Sequence, residues 1–299
     1  MFSLAAYRYR NVLVSAGGPI EKLEVIETEV LGRRRFLANA YLKAGLGPNQ
    51  AGRQLYSGAN GSGEADSPMV ARFMAISEAM ERWAHWTLQA DDRQQSYGFA
   101  VDPSSNGMSA FPGLWARQAR RGAALEASER FNILHWWEGR LPAVDSPTYW
   151  PGVSVVTIRS DAAGITVLMY RRTKSGYVSY GHAASGDYVS ACRKAAGEME
   201  RHASVVEIFA RNHGGKIKDA LPRDAHPIER RSLFFATPEG HALFLEKLQA
   251  VPTSPAPKPQ LVFDGLIPGP WNQYADVWRV LYAPPSQRFL GPDEDYFFL

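Results

Sequence analysis

Two pairs of glutamates are the residues of this sequence best suited to chemistry. Glu78 and Glu81 lie in the segment Glu-Ala-Met-Glu-Arg, and Glu126 and Glu129 lie in Glu-Ala-Ser-Glu-Arg. Carboxylates three residues apart on a helix lie on the same side, about one turn apart, and could share a divalent cation. The arginine after each pair could contact an anion, because guanidinium groups bind phosphate with two hydrogen bonds.

Each pair belongs to a weakly repeated unit, in which a Gly-, Ser- and Asn-rich stretch precedes a helix with closely spaced glutamates. The three copies begin at Gly58, Ser104 and Gly176, and the third copy contains Glu198 and Arg201. Glycine-rich backbone and helix N-termini offer N–H donors to phosphate. We therefore expect loops that contact a phosphate group, followed by helices that hold a cation.

The first of these helices has the clearest boundaries. Ser67 and Pro68 predict its N-cap and first turn. The apolar residues that we expect to face the core are Met69, Phe73, Ile76, Met80 and Trp83. The helical period places a polar group on the opposite side, namely Glu78, Glu81, Arg82 and His85.

A cluster of carboxylates implies a cation, because like charges a few ångströms apart cost several kcal/mol unless they are compensated. Oxygen ligands suit Mg²⁺, which usually completes its shell with waters and substrate phosphates. A nucleotide is therefore the implied companion. For one copy alone, the alternative is an exposed ion pair, since Glu78 and Arg82 have the spacing of a standard surface pair.

Composition and motifs exclude several other classes. The chain has 299 residues, with 33 basic against 30 acidic side chains, and this balance does not indicate a nucleic-acid-binding protein. Two basic clusters, Arg33–Arg35 and the group Arg117, Arg120 and Arg121, are interpreted as a solvated face or as ion pairs. No Walker A, serine-hydrolase or zinc-protease motif occurs. The histidines without metal-ligand spacing, which we expect at the surface or satisfied in the core, are His85, His135, His182, His202 and His213.

Cysteine content and hydropathy bear on location. Cys192 is the single cysteine, so no intrachain disulfide can form. The sequence shows neither a signal peptide nor a run of about 18 apolar residues. We therefore expect a cytoplasmic protein without a membrane partner.

The hydrophobic patterns predict an α+β fold in a single domain, residues 1–299. Strands are predicted at Val12–Val14 and Leu23–Val30 and from Phe36, followed by an antiparallel meander between Val153 and Gly181. We expect long helices to pack on mixed or antiparallel sheets and to turn their acidic faces towards a central cavity. We expect Val251–Pro259 to be a proline-rich connector. We expect the pair Trp136–Trp137 to be buried, and the final aromatic tail to be packed or bound to a partner.

Between Gly58 and Phe209 the sequence resembles the YcaO superfamily, ATP-dependent enzymes that convert peptide backbone amides to azolines, thioamides or amidines. The segment Ser105–Ala110, followed by the helix with Glu126 and Glu129, is similar to the second nucleotide motif of the family. Gly61–Gly63 with the first glutamate pair is similar to the first motif. In that family, ATP phosphorylates the amide oxygen after a nucleophile has added to its carbon, and phosphate is then expelled.

The resemblance implies a Mg²⁺ and ATP site. The metal ligands that it implies are Glu78, Glu81, Glu126 and Glu129. The nucleotide-binding positions that it implies are Ser62, Arg82, Ser105, Asn106, Gln118, Arg130, Glu198 and Arg201. It identifies no catalytic residue in this chain.

Four positions depart from the family pattern. Ser62 replaces a lysine, Met74 a serine, Gln118 a glutamate and Arg201 a glutamine. Losing the lysine and the glutamate removes one charge of each sign. Arg201 could reach a phosphate, or it could pair with Glu198 and fill the site.

Three hypotheses follow. The chain is an active, divergent enzyme that modifies a ribosomal peptide, or a non-catalytic subunit that binds a precursor peptide or partner, or an unrelated protein with surface ion pairs. Under the first two, the partners are a precursor peptide and a protein for leader recognition or sulfur transfer. The apolar tail and exposed aromatic segments also predict a homo-oligomer.

Overall fold

The computed structural model describes residues 4–47, 55–56, 58–92, 94–217, 220–222 and 224–297. The helices are α1 (Leu4–Arg8), α2 (Pro68–Gln89), α3 (Arg117–Trp137), α4 (Tyr188–Asn212), α5 (Pro227–Ala236) and α6 (Pro238–Gln249). The strands are β1 (Ile20–Val30), β2 (Arg33–Leu42), β3 (Gly61–Ala65), β4 (Met108–Phe111), β5 (Ala143–Asp145), β6 (Val153–Ile158), β7 (Ile165–Arg172), β8 (Val178–Ser185), β9 (Leu261–Ile267) and β10 (Asp276–Tyr282). The α+β expectation is confirmed.

The chain divides into two compact units. Unit 1 comprises residues 1–50, 58–127 and 260–283, and unit 2 comprises residues 51–57, 128–259 and 284–299. Helix α3 contributes its first half to unit 1 and its second half to unit 2. That all 299 residues act as one domain stays a prediction.

Unit 1 contains two three-stranded antiparallel sheets. Their strand orders are β1-β2-β3 and β4-β10-β9. The β1–β2 hairpin closes through Leu31 and Gly32, which both adopt positive φ, as the two-residue hairpin turn requires. Helix α2 packs on the first sheet through small side chains, and Ala71, Ala75 and Ala79 are fully buried.

Unit 2 is built on the antiparallel meander β5-β6-β7-β8, with α4 packed against β7 and β8. An aromatic cluster fills its core, formed by Trp136, Trp137, Phe235, Phe244 and Phe297. This confirms the predicted meander, the buried tryptophan pair and, as far as Phe297, the packed tail. Phe298 and Leu299, the end of that tail, lie outside the described residues.

The tail is also held by a buried arginine. The Arg231 guanidinium on α5 donates hydrogen bonds to the carbonyl oxygens of Phe289, Gly291 and Asp293. It lies under the ring of Tyr296, at 5.5 Å from the centroid. Residues 284–297 are therefore part of the unit 2 core.

Both units contain a close strand-on-helix contact with the same sequence spacing. A Cβ at Gly61 on β3 would lie 2.2 Å from the Ala75 carbonyl oxygen on α2. A Cβ at Gly181 on β8 would lie 2.1 Å from the Ala195 carbonyl oxygen on α4. In both units the helix residue follows the glycine by 14 positions. Residues 120 positions apart thus correspond, and Glu78 matches Glu198.

Three local expectations were wrong. Residues Val12–Val14 do not form a strand, and a 3₁₀ turn begins at Val14. Gly61–Gly63 belongs to strand β3 rather than to a loop, and the glycines allow the strand to approach α2 closely. Met69 is 53% exposed, since the alanines of α2 supply the core contact there.

Other boundaries agree with the structure. Helix α2 follows Ser67 and has Pro68 in its first turn, although the Ser67 side chain makes no capping hydrogen bond. Residues 251–259 contain no regular element. The Arg34–Glu27, Arg35–Glu64 and Arg120–Asp264 pairs confirm that these arginines are ion-paired, although the Arg35–Glu64 pair is largely buried. Within the described residues, no helix combines the length and apolar character needed to cross a bilayer.

The close approach of β3 to α2 predicts that Gly61→Ala destabilises the protein by about 1–3 kcal/mol, because the added Cβ overlaps helix backbone that cannot rotate away. The control is Gly58→Ala, where nothing lies within 4 Å of the new Cβ and the change should stay within about 0.5 kcal/mol. Urea unfolding monitored by far-UV circular dichroism measures both. Equal midpoints for the two variants would contradict the packing role of Gly61.

Candidate functional site

The unit 1 candidate residues lie on α2, β3 and the first half of α3. The Ser62 backbone N–H donates to Glu78 Oε2 at 2.8 Å, and Arg82 Nη2 lies 3.4 Å from Glu78 Oε1. Ser62 Oγ donates to Asn39 Oδ1 at 2.8 Å. Glu78 therefore bridges the strand and the next turn of its own helix, and the predicted i,i+4 pair exists.

Glu81 lies in an unfavourable electrostatic environment in unit 1. Its side chain is half-buried, and burial and then the charge of Glu126 raise its pKa well above the usual value. Glu78 raises the pKa further, whereas Arg82 and Arg279 act in the opposite direction without compensating it. Three carboxylates thus act on one another here, which is the situation that a bound cation would relieve.

A rigid loop, residues 102–107, precedes β4 in unit 1. Fully buried Arg279 on β10 donates to the carbonyl oxygens of Asp102 at 2.7 Å and Ser104 at 2.8 Å. Gly107 has φ +71°, and a Cβ there would lie 2.1 Å from the Val280 carbonyl oxygen. This loop carries Ser105 and Asn106, two of the predicted nucleotide-binding residues.

Side chains within the loop also bind one another. The Ser104 N–H donates to Asp102 Oδ1 at 2.9 Å, and Asn106 Nδ2 donates to Ser104 Oγ at 3.0 Å. Ser105 is 5% exposed. The loop is therefore held by hydrogen bonds among its own side chains and by Arg279. Such contacts are expected of a segment that must present backbone groups at fixed positions.

The unit 2 candidate residues have a different environment. Both carboxylate oxygens of Glu129 accept hydrogen bonds, one from His182 Nδ1 at 2.7 Å and one from the Ala184 N–H at 2.7 Å. Burial lowers the pKa of His182, but the hydrogen bond with Glu129 and the charges of Glu129 and Glu198 outweigh it, and the net pKa is raised. Glu129 is thus hydrogen-bonded to an imidazole whose basicity it increases.

Glu198 on α4 forms an ion pair with Arg201, one turn further along the helix. Burial acts to raise the pKa of Glu198, but the charge and hydrogen bond of Arg201 dominate, and the net pKa is lowered. Of the two alternatives for Arg201, the structure shows the pair with Glu198. Neighbouring Glu200 binds Arg171 at 2.6 Å.

Two further predicted residues lie on α3. Gln118 is half-buried in its first turn, within unit 1. Arg130 is 7% exposed and stacks over the Phe289 ring of unit 2 at 4.6 Å. The expectation that all these helices converge on one cavity stays a prediction.

The described residues do not form a complete metal-binding site by themselves. No group of three or more histidine, cysteine, aspartate or glutamate side chains among them is arranged to hold a metal ion. Mg²⁺ commonly takes only one or two carboxylates and fills its remaining positions with water and phosphate. The glutamates of unit 1 fit that donor set, because they supply hard oxygen ligands, and burial and neighbouring carboxylates raise the pKa of Glu81.

Sequence reasoning missed two residues of these sets. His182 was expected to be structural, yet its imidazole binds Glu129, 53 positions away in the sequence. Arg279 is a charged residue within an otherwise apolar strand segment, and it is fully buried in the structure. An arginine in such a segment could have been recognised from the sequence as structural or functional. The other site histidine, His85, binds the Pro103 carbonyl oxygen at 2.8 Å and has its pKa lowered to about 4, chiefly by burial.

The environments of Glu81 and Glu129 predict opposite effects of neutralisation. The raised pKa of Glu81 means that the folded state loses stability as pH rises above the unfolded value near 4.5. Glu81→Gln should therefore raise the free energy of unfolding without added metal, by on the order of 1 kcal/mol at alkaline pH, with no gain near pH 4.

Glu129→Gln is the matched comparison, and it should lower stability by about 1–3 kcal/mol because it leaves His182 without its charged partner. Urea unfolding of the wild type and both variants between pH 4 and 9 measures the difference. A stability loss in Glu81→Gln that is independent of pH would contradict the description of Glu81 as a strained carboxylate.

Comparisons with known proteins give structural likeness only. No protein-family model and no curated protein matches the sequence. The structure of YcaO from Methanopyrus kandleri bound with AMPPCP and Mg²⁺ is similar over 98% of this chain and 92% of that chain, with TM-score 0.52 and 15% identity. The E. coli microcin synthetase McbBCD complex is similar over 87% of both chains, at 12% identity, with TM-score 0.50 and, with pro-MccB17 bound, 0.52. Together with the expected strand–helix units, these matches show that this chain has a YcaO-like fold.

Proposed function

We propose that this chain binds a magnesium nucleotide through unit 1 and uses it, as a divergent YcaO-type enzyme, to activate a peptide backbone amide. The observation that carries the proposal is the half-buried Glu81, whose pKa is raised by burial and by Glu126 and Glu78. A carboxylate kept in such surroundings costs stability, and a cation site is a reason to keep it.

Different residues of unit 1 would bind the metal ion and the nucleotide. Glu78, Glu81 and Glu126 would hold Mg²⁺, and the loop with Ser105 and Asn106 would face the nucleotide with hydrogen-bond donors. Bound Mg²⁺ would neutralise phosphoryl charge during transfer. Arg279 positions that loop by fixing the carbonyl groups of Asp102 and Ser104.

The proposed reaction modifies a ribosomally made peptide to an azoline, thioamide or amidine. The synthetase complex with pro-MccB17 bound supports a peptide substrate and partner proteins, and the YcaO bound with AMPPCP and Mg²⁺ supports the magnesium nucleotide. A precursor peptide and a leader-recognition or sulfur-transfer protein are therefore the proposed partners, and self-association of the chain is proposed alongside them.

A second candidate function is a non-catalytic subunit that binds a precursor peptide or partner protein. The observation that favours it is in unit 2, where Glu198 is paired with Arg201 and Glu129 with His182. Protein cations there occupy the carboxylates that the family resemblance assigns to the metal and nucleotide. The two candidates differ in whether nucleotide binds and turns over.

Titration calorimetry with AMPPCP, with and without Mg²⁺, tests the proposal. The wild type should bind only with Mg²⁺, and Glu81→Gln should weaken binding at least about tenfold, because it removes a charged metal ligand. Glu21→Gln is the control, since Glu21 is an exposed carboxylate on β1, and it should bind like the wild type.

The absence of binding at millimolar nucleotide would overturn the enzyme proposal and favour the non-catalytic subunit. Equal affinity of Glu81→Gln and wild type would place the nucleotide elsewhere than on this carboxylate. Where binding occurs, release of phosphate from ATP in the presence of a candidate peptide and partner separates turnover from binding alone.

A further inference from the structure

The two strand–helix copies can be compared position by position. Gly61 and Gly181 make the same contact with the following helix, which fixes the correspondence at 120 residues without a gap. Ala75 then corresponds to Ala195, and both are fully buried beneath the glycine. The correspondence therefore rests on backbone geometry as well as on residue identity.

The chemistry of the two copies differs at one decisive position. Glu78 matches Glu198, but Glu81 matches Arg201. The same place on the helix therefore carries a negative charge in unit 1 and a positive charge in unit 2. In unit 2 this arginine pairs with the glutamate one turn before it.

A second pair of corresponding residues also differs between the two copies. Ser62 on β3 corresponds to His182 on β8, and each lies beside a glutamate of its own unit. Ser62 uses its neutral backbone N–H towards Glu78, whereas His182 uses its imidazole towards Glu129. Both oxygens of Glu129 are occupied, and only 20% of its side chain is exposed.

The remaining carboxylate of this part of α4 is also compensated. Glu200 binds Arg171 on the neighbouring strand β7 at 2.6 Å. Each glutamate of the unit 2 set described here thus has a basic side chain as its partner, namely Arg201, His182 or Arg171. In unit 1, by contrast, Arg82 pairs with Glu78, and a carboxylate, Glu81, lies at the helix position that Arg201 occupies in unit 2.

We propose that the two copies have opposite electrostatic roles: the unit 1 copy is the cation site, and the unit 2 copy is neutralised by Arg201 and His182 and holds no divalent metal. The chain then binds a single divalent ion with its nucleotide. This inference rests on the proposed function for the unit 1 ion and departs from the metal set that the family resemblance implies, which includes Glu129.

The number of bound ions tests the inference directly. Mn²⁺ serves as the probe, with AMPPCP present, and the bound fraction is counted by electron paramagnetic resonance of the free ion. The wild type should bind one Mn²⁺ per chain, Glu81→Gln none, and Glu198→Gln still one. Because Glu198 is 51% exposed, its replacement should leave the fold intact.

A gain of binding provides the sharper measurement. Arg201→Gln together with His182→Asn removes both cationic partners and should raise the count to two ions per chain. The matched control is Arg193→Gln, an exposed arginine on the same helix that should leave the count at one. Circular dichroism spectra of all variants establish that the fold is retained.

Two ions on the wild type would overturn the inference and leave the proposed function standing. A count of one in the double variant would also overturn it, because removal of the partners would then have freed no site. If the wild type binds none and the double variant binds one, the proposed function fails while the role of Arg201 and His182 stands. If both bind none, both proposals fail.

Discussion

The close packing of a glycine-bearing strand on a long helix is the constraint on which each unit depends. At Gly61 and Gly181 the strand approaches the helix so closely that a single added carbon would meet main-chain atoms. Such proximity fixes which turn of the helix lies beside which strand residue. In unit 1 it brings the Glu78 carboxylate to the Ser62 N–H, so packing and the placement of charged groups have the same cause.

Charge within the two copies is arranged in contrasting ways. Unit 2 follows the ordinary rule that partly buried ions are paired, as its arginine and histidine contacts show. Unit 1 departs from it at Glu81, where burial and neighbouring carboxylates act in the same direction. Proteins keep such an unfavourable carboxylate chiefly where a bound ligand compensates its charge. The two copies therefore differ in how their glutamates are compensated, and not in the acidic composition of their helices.

Local periodicity accounts for what the sequence could predict. Strand-like runs separated by turn residues predicted the β6–β8 meander, and the helical period placed Glu78, Glu81 and Arg82 together on α2. The same reasoning was wrong for Met69, because alanines facing a glycine strand make a tighter core contact than a larger side chain could. His182 and Arg279 were missed since their partners are distant in sequence, and only tertiary structure joins such residues.

The burial of the tail bears on how the chain acquires its structure during synthesis. Arg231 finds its carbonyl partners only in residues 289–293, and Phe297 completes the aromatic cluster around Trp136. Unit 1 similarly requires β9 and β10, which follow almost all of unit 2 in the sequence. Neither core can close on a ribosome-bound chain until its last segments have emerged, so the nascent protein must remain partly open, and dependent on protection from aggregation, through most of its translation.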